Sequence, residues 1–259
     1  MERELTILEH LDELRRRIII ALLSLLVTTI FSFPFAGYVL NILKLPAAGV
    51  VGKLAVFSPQ GAFLIYMRVS FLAGFVIALP VILYQFWAFL APAIEKRFKQ
   101  YMAYFIISCS IAFVSGSLFS YFILLPKALT FLLGFGVDEL NPIIAADSYI
   151  SFVVGLILSC GLMFQMPIVS FILTKIGLIN AGVLRKKFGI AVIAIFVVAA
   201  VITPTTDVFN MTLLAIPMLC LYEISIWVSV MAKRTPFDPS ASSGSSRAKS
   251  RDDKSSGLS

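Results

Sequence analysis

Six long apolar runs, separated by short polar stretches, constrain the fold of this chain more than any other feature of its sequence. An α-helix of about 20 apolar residues crosses the roughly 30 Å hydrocarbon layer of a bilayer. Charged residues form only 14% of the chain, whereas a soluble globular domain carries about 25%. The pattern therefore predicts an all-α integral membrane protein with six transmembrane helices. The predicted spans are Ile18–Leu43, Phe63–Leu90, Tyr101–Leu125, Tyr149–Ile176, Phe188–Ile202 and Phe209–Met231.

The fifth predicted span, Phe188–Ile202, is shorter than the others. At about 1.5 Å per residue its roughly 15 residues cover only about 22 Å as a helix. A span of this length requires a thinner bilayer beside it or shelter from neighbouring helices.

The basic residues between the runs are distributed unevenly. Seventeen of the 21 Lys and Arg residues fall on the side of the membrane that holds both termini. The positive-inside rule then places both termini in the cytoplasm and predicts a multi-pass protein of the plasma or inner membrane. This asymmetry, with attraction to anionic membrane lipid, accounts for the net charge of +7, and no nucleic-acid partner is needed. The basic residues on the other side are Lys44, Lys53, Arg68 and Lys127.

Two segments are predicted from composition. Residues 1–234 form the membrane domain, with an amphipathic cytoplasmic start at residues 6–17, and the Ser-rich residues 235–259 form a cytoplasmic tail too polar to fold. Within the domain, Asp147 and Ser148 resemble the N-cap of the fourth span, and Pro126 is expected to end the third. Kinks are predicted at the prolines inside the spans, which are Pro34, Pro80, Pro167 and Pro217.

Known catalytic patterns are missing from the sequence. It contains no GxxxxGK[ST] phosphate loop, no HExxH motif and no GxSxG elbow. A single histidine and three cysteines without metal-ligand spacing predict no metal site and no cofactor, and the cysteines are interpreted as small buried hydrophobic residues. The chain is therefore not expected to be an enzyme, and its function must come from binding and conformational change.

Few polar side chains are predicted at membrane depth. They are mainly Gln85, Gln165 and Glu223. An ionisable group such as Glu223 inside a span is a candidate functional residue because its charge is costly there. Gln165 has two interpretations, either a functional group or an interhelical hydrogen-bond partner.

The amphipathic start is the first candidate binding element. Thr6 to Glu9 fit a capping box that starts a helix at Ile7. Two i,i+4 ion pairs are available along that helix, Asp12–Arg16 and Glu13–Arg17. One interpretation is a self-paired helix at the membrane surface. In the other, Glu9, Asp12 or Glu13 remains available to bind a cationic ligand.

The short loop after the second span is the second candidate. Glu95 is unusual among its basic residues because acidic residues contribute little to orientation. With Trp87 and Phe89 just before it, Glu95 offers a carboxylate beside aromatic rings, which suits a guanidinium group. An aromatic belt with a local ion pair is the alternative interpretation.

Several ordered motifs resemble the TatC family, the multispanning core of the twin-arginine protein translocase. The resemblance covers nearly the whole chain from His10 to about Trp227. The motifs that carry it are His10-Leu11-Asp12-Glu13-Leu14-Arg15-Arg16-Arg17, Pro80-Val81-Ile82-Leu83-Tyr84-Gln85-Phe86-Trp87-Ala88-Phe89-Leu90-Ala91-Pro92, Asp147-Ser148-Tyr149, Leu184-Arg185-Lys186-Lys187, Ile202-Thr203-Pro204-Thr205-Thr206-Asp207, Leu214-Ala215-Ile216-Pro217 and Leu221-Tyr222-Glu223.

The resemblance implies a receptor that binds the twin-arginine signal peptides of folded preproteins. It also implies a concave, glove-like bundle of six spans, a homo-oligomer within a larger complex, and single-span partners like TatA and TatB that complete transport driven by the proton gradient. By the same resemblance Glu13 faces the two arginines, supported by the neighbouring binding-surface residues Leu14, Arg15, Phe89 and Pro46. The intramembrane polar and structural positions are Gln165, Glu223, Asp207, Gln85 and Pro80.

Three positions depart from the family pattern. The second recognition glutamate falls on Phe98, so Glu95, three residues earlier, is the candidate substitute. The mid-span Phe-Glu-x-Pro pattern has Gln165 in place of glutamate, and the outward Pro-x-Glu pattern reads Pro59-Gln60-Gly61. A small-solute secondary transporter or channel remains the alternative function, although such proteins often have internal repeats and a polar midplane site, and this sequence shows no convincing repeat.

Overall fold

The computed structural model describes residues 7–47, 54–90, 102–134, 144–175, 179–202 and 208–233. Within these ranges the regular elements are helices, with one isolated parallel β-bridge between Ala55 and Ala145. The Ser-rich residues 235–259 lie outside the described ranges. The α-helices are α1 Ile7–Ser32, α2 Ala36–Lys44, α3 Gly61–Leu90, α4 Met102–Phe119, α5 Leu125–Gly134, α6 Ala146–Met163, α7 Met166–Lys175, α8 Ala181–Lys186, α9 Phe188–Ile202 and α10 Val208–Lys233.

Within the described ranges, five helical segments are long and apolar enough to cross a membrane, which confirms an all-helical protein with several helices of membrane-spanning length and composition. The sixth apolar helix, α9, has the two ends that the sequence predicts and only 15 residues. The long segments contain 22 to 34 residues each and are Leu11–Lys44, Gly61–Phe89, Met102–Phe131, Ala146–Lys175 and Met211–Ala232.

The prolines within the spans have different effects. Pro34 lies in a 3₁₀ turn, Phe33–Phe35, between α1 and α2, and Pro167 is the second residue of α7, just after the break that ends α6. Pro80 and Pro217 lie inside the continuous helices α3 and α10. Proline is tolerated in such helices because neighbouring groups satisfy the freed carbonyl.

Pro126 does not end the third span, contrary to the prediction. A π-helical turn at Ser120–Leu124 follows α4, and α5 continues from Leu125 to Gly134. The wider π-helical turn replaces i→i−4 hydrogen bonds just before Pro126, so the missing amide proton of the proline does not stop the helix.

The predicted N-cap of the fourth span is also wrong. Helix α6 begins at Ala146, its N-cap is Ala145, and no side chain caps it. The backbone of Ala55 accepts from the Ala146 N–H at 2.8 Å and donates to the Ile144 carbonyl at 3.0 Å. This bridge extends α6 past the expected N-cap, and Asp147 lies in its first turn.

Small residues allow two pairs of helices to approach closely. A β-carbon at Gly74 of α3 would lie 2.6 Å from the backbone N and Cα of Thr29 on α1. Thr28 Oγ1 donates to the Gly74 carbonyl at 2.8 Å in the same contact. Between α4 and α6, a β-carbon at Gly116 would lie 2.7 Å from the backbone oxygen of Cys160. Small residues at such crossings let backbones pack without side chains between them.

The main core lies between α2, α3, α5, α6, α9 and α10, with Ile150 and Val153 fully buried at its centre. The Tyr149 hydroxyl donates to the Leu43 carbonyl at 2.7 Å and joins α6 to the end of α2. Cys109 and Cys160 are buried as expected, but Cys220 is exposed on α10, so the prediction that every cysteine is buried is wrong there.

Candidate functional site

An open hollow of about 610 Å³ lies at the end of the bundle where α1 begins and α3 ends. Five of its residues come from α1 at helical spacing, so they share one face of that helix. The other two come from the last turns of α3. The lining residues are Asp12, Glu13, Arg16, Arg17, Ile20, Tyr84 and Gln85.

A chain of hydrogen bonds crosses the hollow through Arg17. Its Nε and Nη2 donate to Glu13 Oε1 at 3.0 and 2.5 Å. Its Nη1 donates to Gln85 Oε1 on α3 at 3.3 Å. The predicted Glu13–Arg17 ion pair is therefore present, and the structure extends it to Gln85, one of the polar residues expected at depth.

The charged side chains in the hollow differ in whether they form ion pairs. The side chains of Glu13 and Arg17 are 25% and 23% exposed, so their pairing is partly protected from water. Asp12 and Arg16 are both exposed, and among the described residues they form no ion pair with each other. Asp12 is therefore a carboxylate that faces the hollow without a cationic partner in the described part of the chain.

Aromatic residues surround the α3 side of the hollow. Tyr84 lines it directly and is exposed. Phe89 follows Gln85 by one helical turn on the same face and is half-buried. Behind them Trp87 packs on Phe105 of α4, with ring centroids 4.7 Å apart, and both are buried. This packing fixes the last turns of α3 that carry Tyr84 and Gln85.

The other predicted binding residues do not all reach the hollow. Leu14 is half-buried and Arg15 is exposed, and neither contributes to its lining. Pro46 lies in a 3₁₀ turn beyond Lys44, at the far end of the apolar segment that begins at Leu11. The structure therefore does not bring Pro46 to Glu13, which corrects its assignment to the same surface. Glu95 lies outside the described residues.

The residues predicted at depth lie apart from the hollow, except for Gln85. Gln165 is buried, and its Nε2 donates to the Cys109 carbonyl on α4 at 2.8 Å. This is the interhelical hydrogen bond of the structural interpretation. Glu223 is exposed on the surface of α10. Pro80 lies within α3, and Asp207 lies outside the described residues.

Two polar arrangements were not predicted from the sequence. The first is the contact of Arg17 with Gln85, since no pattern shows which faces of α1 and α3 meet. The second lies near the opposite end of the bundle, where Arg68 of α3 donates to the Asp147 carboxylate and to Ser151 Oγ. The opposite charges of Arg68 and Asp147, both near the outward ends of predicted spans, were the available signal for this pair.

The hollow combines two carboxylates, two guanidinium groups and one aromatic ring, that of Tyr84. Carboxylates and aromatic rings are groups that bind guanidinium, and Asp12 is the carboxylate without a cationic partner among the described residues. Among the residues that the structure describes, no three His, Cys, Asp or Glu side chains come together to hold a metal ion.

Comparison with known proteins gives consistent similarities along most of the chain. The model of the family described as Sec-independent protein translocase protein (TatC) matches residues 9–217. A protein of Aquifex aeolicus named Sec-independent protein translocase protein TatC is 42% identical over 230 residues, covering 87% of this chain and 95% of that protein. A protein of Campylobacter jejuni with the same name is 39% identical over 234 residues, covering 88% and 95%.

A solved structure resembles the fold as well as the sequence. The crystal structure of a twin arginine translocase receptor, TatC, is similar with a TM-score of 0.80 and 41% sequence identity. The similarity covers 87% of this chain and 100% of that one. The family match over residues 9–217 includes the residues that line the hollow.

Proposed function

The chain belongs to the TatC family of Sec-independent protein translocases, which are non-enzymatic transport components, and from this premise we propose that it is the core receptor subunit of a twin-arginine translocation system. In this proposal it binds the twin-arginine signal peptides of folded preproteins and organises their transport driven by the proton gradient. Membership of a protein translocase family favours this function over a small-solute transporter or channel.

The observation that carries the proposal is the hollow between α1 and α3. Glu13 and Asp12 place two carboxylates there on successive positions of one helix, beside the amide oxygen of Gln85. Two adjacent arginines carry two guanidinium groups, each able to donate paired hydrogen bonds to a carboxylate. A partly desolvated site at the membrane boundary strengthens such bonds relative to bulk water.

The aromatic border supports the same ligand. Tyr84 lines the hollow and Phe89 lies one turn beyond Gln85. Guanidinium groups stack on such rings with a modest gain of about 0.5–1 kcal/mol at exposed sites. We propose Glu95 as a further carboxylate of this surface, because it follows the end of α3 by only five residues in the sequence.

We infer a topology of six spans with both termini in the cytoplasm of a bacterial-type inner membrane. The five long apolar helices and the short α9 supply the six crossings. The distribution of Lys and Arg supports this orientation. It places the hollow at the cytoplasmic face, where a signal peptide arrives before transport.

We also propose that the chain acts with single-span partners of the TatA and TatB kind, as several copies within one complex. In this proposal the partner subunits complete the path that folded cargo takes across the bilayer. A partner that lies in the bilayer has lipid-facing apolar helices available, since α1 and α9 expose large hydrophobic residues such as Leu22, Phe31 and Val197.

Replacing Glu13 tests the proposal. The Glu13→Ala and Glu13→Gln variants are expected to abolish export of a folded reporter with a twin-arginine signal, while their level in the membrane stays normal. Asp147→Asn is the control, because it removes a carboxylate at the opposite end of the bundle. Normal export by both Glu13 variants would contradict the proposal, as would equal binding of a signal peptide with both arginines changed to glutamine.

A further inference from the structure

In the proposed function, Glu13 accepts hydrogen bonds from a guanidinium group of the ligand. In the structure, a guanidinium group of the same chain already occupies Glu13. Arg17 donates two N–H groups to Glu13 Oε1 and a third to Gln85 Oε1. Among the described residues, Glu13 Oε2 accepts no hydrogen bond. Arg17 thus occupies Glu13 in the way that an arginine of a signal peptide would.

We propose that Arg17 is an internal competitor for Glu13 and that Gln85 receives its guanidinium when a ligand arginine takes its place. This inference rests on the proposed function and specifies how that site is regulated. Displacement exchanges one guanidinium for another on the same carboxylate, so the net gain at Glu13 is small. The affinity of the receptor is thereby held below what the free carboxylate would give, and the peptide can be released afterwards.

The geometry gives the displaced side chain a place to go. Gln85 is buried on α3, and its Oε1 already accepts from Arg17 Nη1 at 3.3 Å. This distance of 3.3 Å is slightly longer than the usual range of about 2.7–3.2 Å for N–H···O bonds. Arg17 can shorten this bond when it leaves Glu13, without crossing the hollow or exposing an unpaired amide.

The competitor also discriminates between cations. An ammonium group offers a single point of charge, whereas the planar guanidinium donates several parallel N–H groups. A lysine therefore replaces only part of the hydrogen bonding that Arg17 provides to Glu13. A ligand with two lysines is expected to leave Arg17 on Glu13, whereas one with arginines displaces it.

A matched pair of variants separates competition from general charge. Arg17→Gln frees Glu13, and Arg16→Gln removes the same charge from the hollow without releasing an ion pair found among the described residues. The full chain is placed in lipid nanodiscs, and a labelled twin-arginine peptide is titrated in each variant. Arg17→Gln is expected to tighten binding roughly threefold to tenfold, and Arg16→Gln by less than about twofold, because only the former removes a charge-assisted contact to Glu13.

Two further variants examine the mechanism of exchange. Gln85→Ala is expected to weaken binding about twofold or more in the natural chain, and to have little effect in the Arg17→Gln background, because Gln85 acts through Arg17. In the Glu13→Gln background, Arg17→Gln is expected to tighten binding no more than Arg16→Gln does.

Should Arg17→Gln not remain folded, Arg17→Lys replaces it in the test. This variant keeps the charge at position 17, and it is still expected to tighten binding because lysine makes fewer hydrogen bonds to Glu13.

The possible results separate the two proposals. Weaker or unchanged binding by Arg17→Gln, or equal tightening by both arginine variants, would overturn the competitor role while leaving the receptor function intact. Equal affinity of the natural chain for the twin-arginine peptide and for its double-glutamine version would instead overturn the receptor function, and the competitor role with it.

Discussion

Arg68 on α3 donates from Nη1 to the carboxylate of Asp147 on α6, although the two residues lie 79 positions apart in the sequence. The same Nη1 lies 2.5 Å from Ser151 Oγ, and the Ser151 hydroxyl donates to the Asp147 carbonyl at 2.6 Å. Charged side chains among apolar helices usually pair with one another. This cluster therefore holds the N-terminal ends of α3 and α6 together, far from the hollow.

A double-mutant cycle is expected to reveal this ion pair as a stabilising contact. The two side chains are 38% and 43% exposed, so we expect a coupling free energy of only about 0.5–1.5 kcal/mol between Arg68→Gln and Asp147→Asn. Unfolding of the purified protein by SDS titration measures it. A coupling of zero would mean that solvent and lipid headgroups satisfy both charges without the partner.

A close contact between α1 and α3 at Gly74 gives a second prediction. Gly74→Ala places a β-carbon where Thr29 backbone atoms lie 2.6 Å away, so the helices must separate or shift. We expect a loss of about 1–3 kcal/mol in the free energy of unfolding. The hydrogen bond from Thr28 to the Gly74 carbonyl should weaken with it.

Gly155→Ala is the matched control for that substitution. Gly155 lies in the apolar helix α6, and a β-carbon there meets no atom within 4 Å. Alanine favours a helix over glycine by about 0.8–1 kcal/mol, so this variant should be as stable as the natural chain or more so. If both alanine variants lose the same stability under SDS titration, the α1–α3 contact is not the cause.

How far the sequence predicts the fold depends on the kind of boundary. Helix α9 begins at Phe188 and ends at Ile202 as expected, because charged residues or turn-forming residues adjoin its apolar run. The third span passes Pro126 because a π-helical turn precedes it, and no single-residue propensity encodes such a turn. Local composition therefore predicts where an apolar helix exists better than where it bends or continues.

The site shows the same difference between local and distant contacts. The Glu13–Arg17 pair follows from their spacing on one helix. The contact of Arg17 with Gln85 depends on how α1 and α3 are rotated about their axes. An apolar helix such as α3 has no polar face that fixes this rotation in the sequence. Packing at Gly74 decides it instead.

Gln165 provides a third prediction, in which a substitution changes the stability of the protein but not its affinity for the signal peptide. Its Nε2 bonds to the Cys109 carbonyl, while its buried Oε1 accepts no hydrogen bond from the described residues. Gln165→Met keeps the size and removes both groups, so we expect a loss of only about 0.5–1 kcal/mol, the usual value for an interhelical hydrogen bond. SDS unfolding measures the loss. Signal-peptide affinity should not change, and a fall in affinity at unchanged stability would give Gln165 a role in recognition.

The short helix α9 gives the last prediction, that the bilayer is thinner beside it. Spin labels at Ile190 and Val201, both exposed near its two ends, would lie about 17 Å apart along the axis at about 1.5 Å per residue. Because the hydrocarbon layer is normally about 30 Å thick, both labels can reach headgroup depth only if the layer thins. Labelling needs a Cys220→Ser background, since Cys220 is exposed while Cys109 and Cys160 are buried.

Labels at Phe63 and Phe86 on the long helix α3 are the control, as both side chains are exposed and the 29-residue apolar segment around them is long enough to span a normal bilayer. We expect depth measurements by oxygen and nickel-complex collisions to place all four labels near the interface. A label of α9 found deep in the hydrocarbon, with both α3 labels at the interface, would show that neighbouring helices shelter the short span and that the bilayer keeps its thickness there.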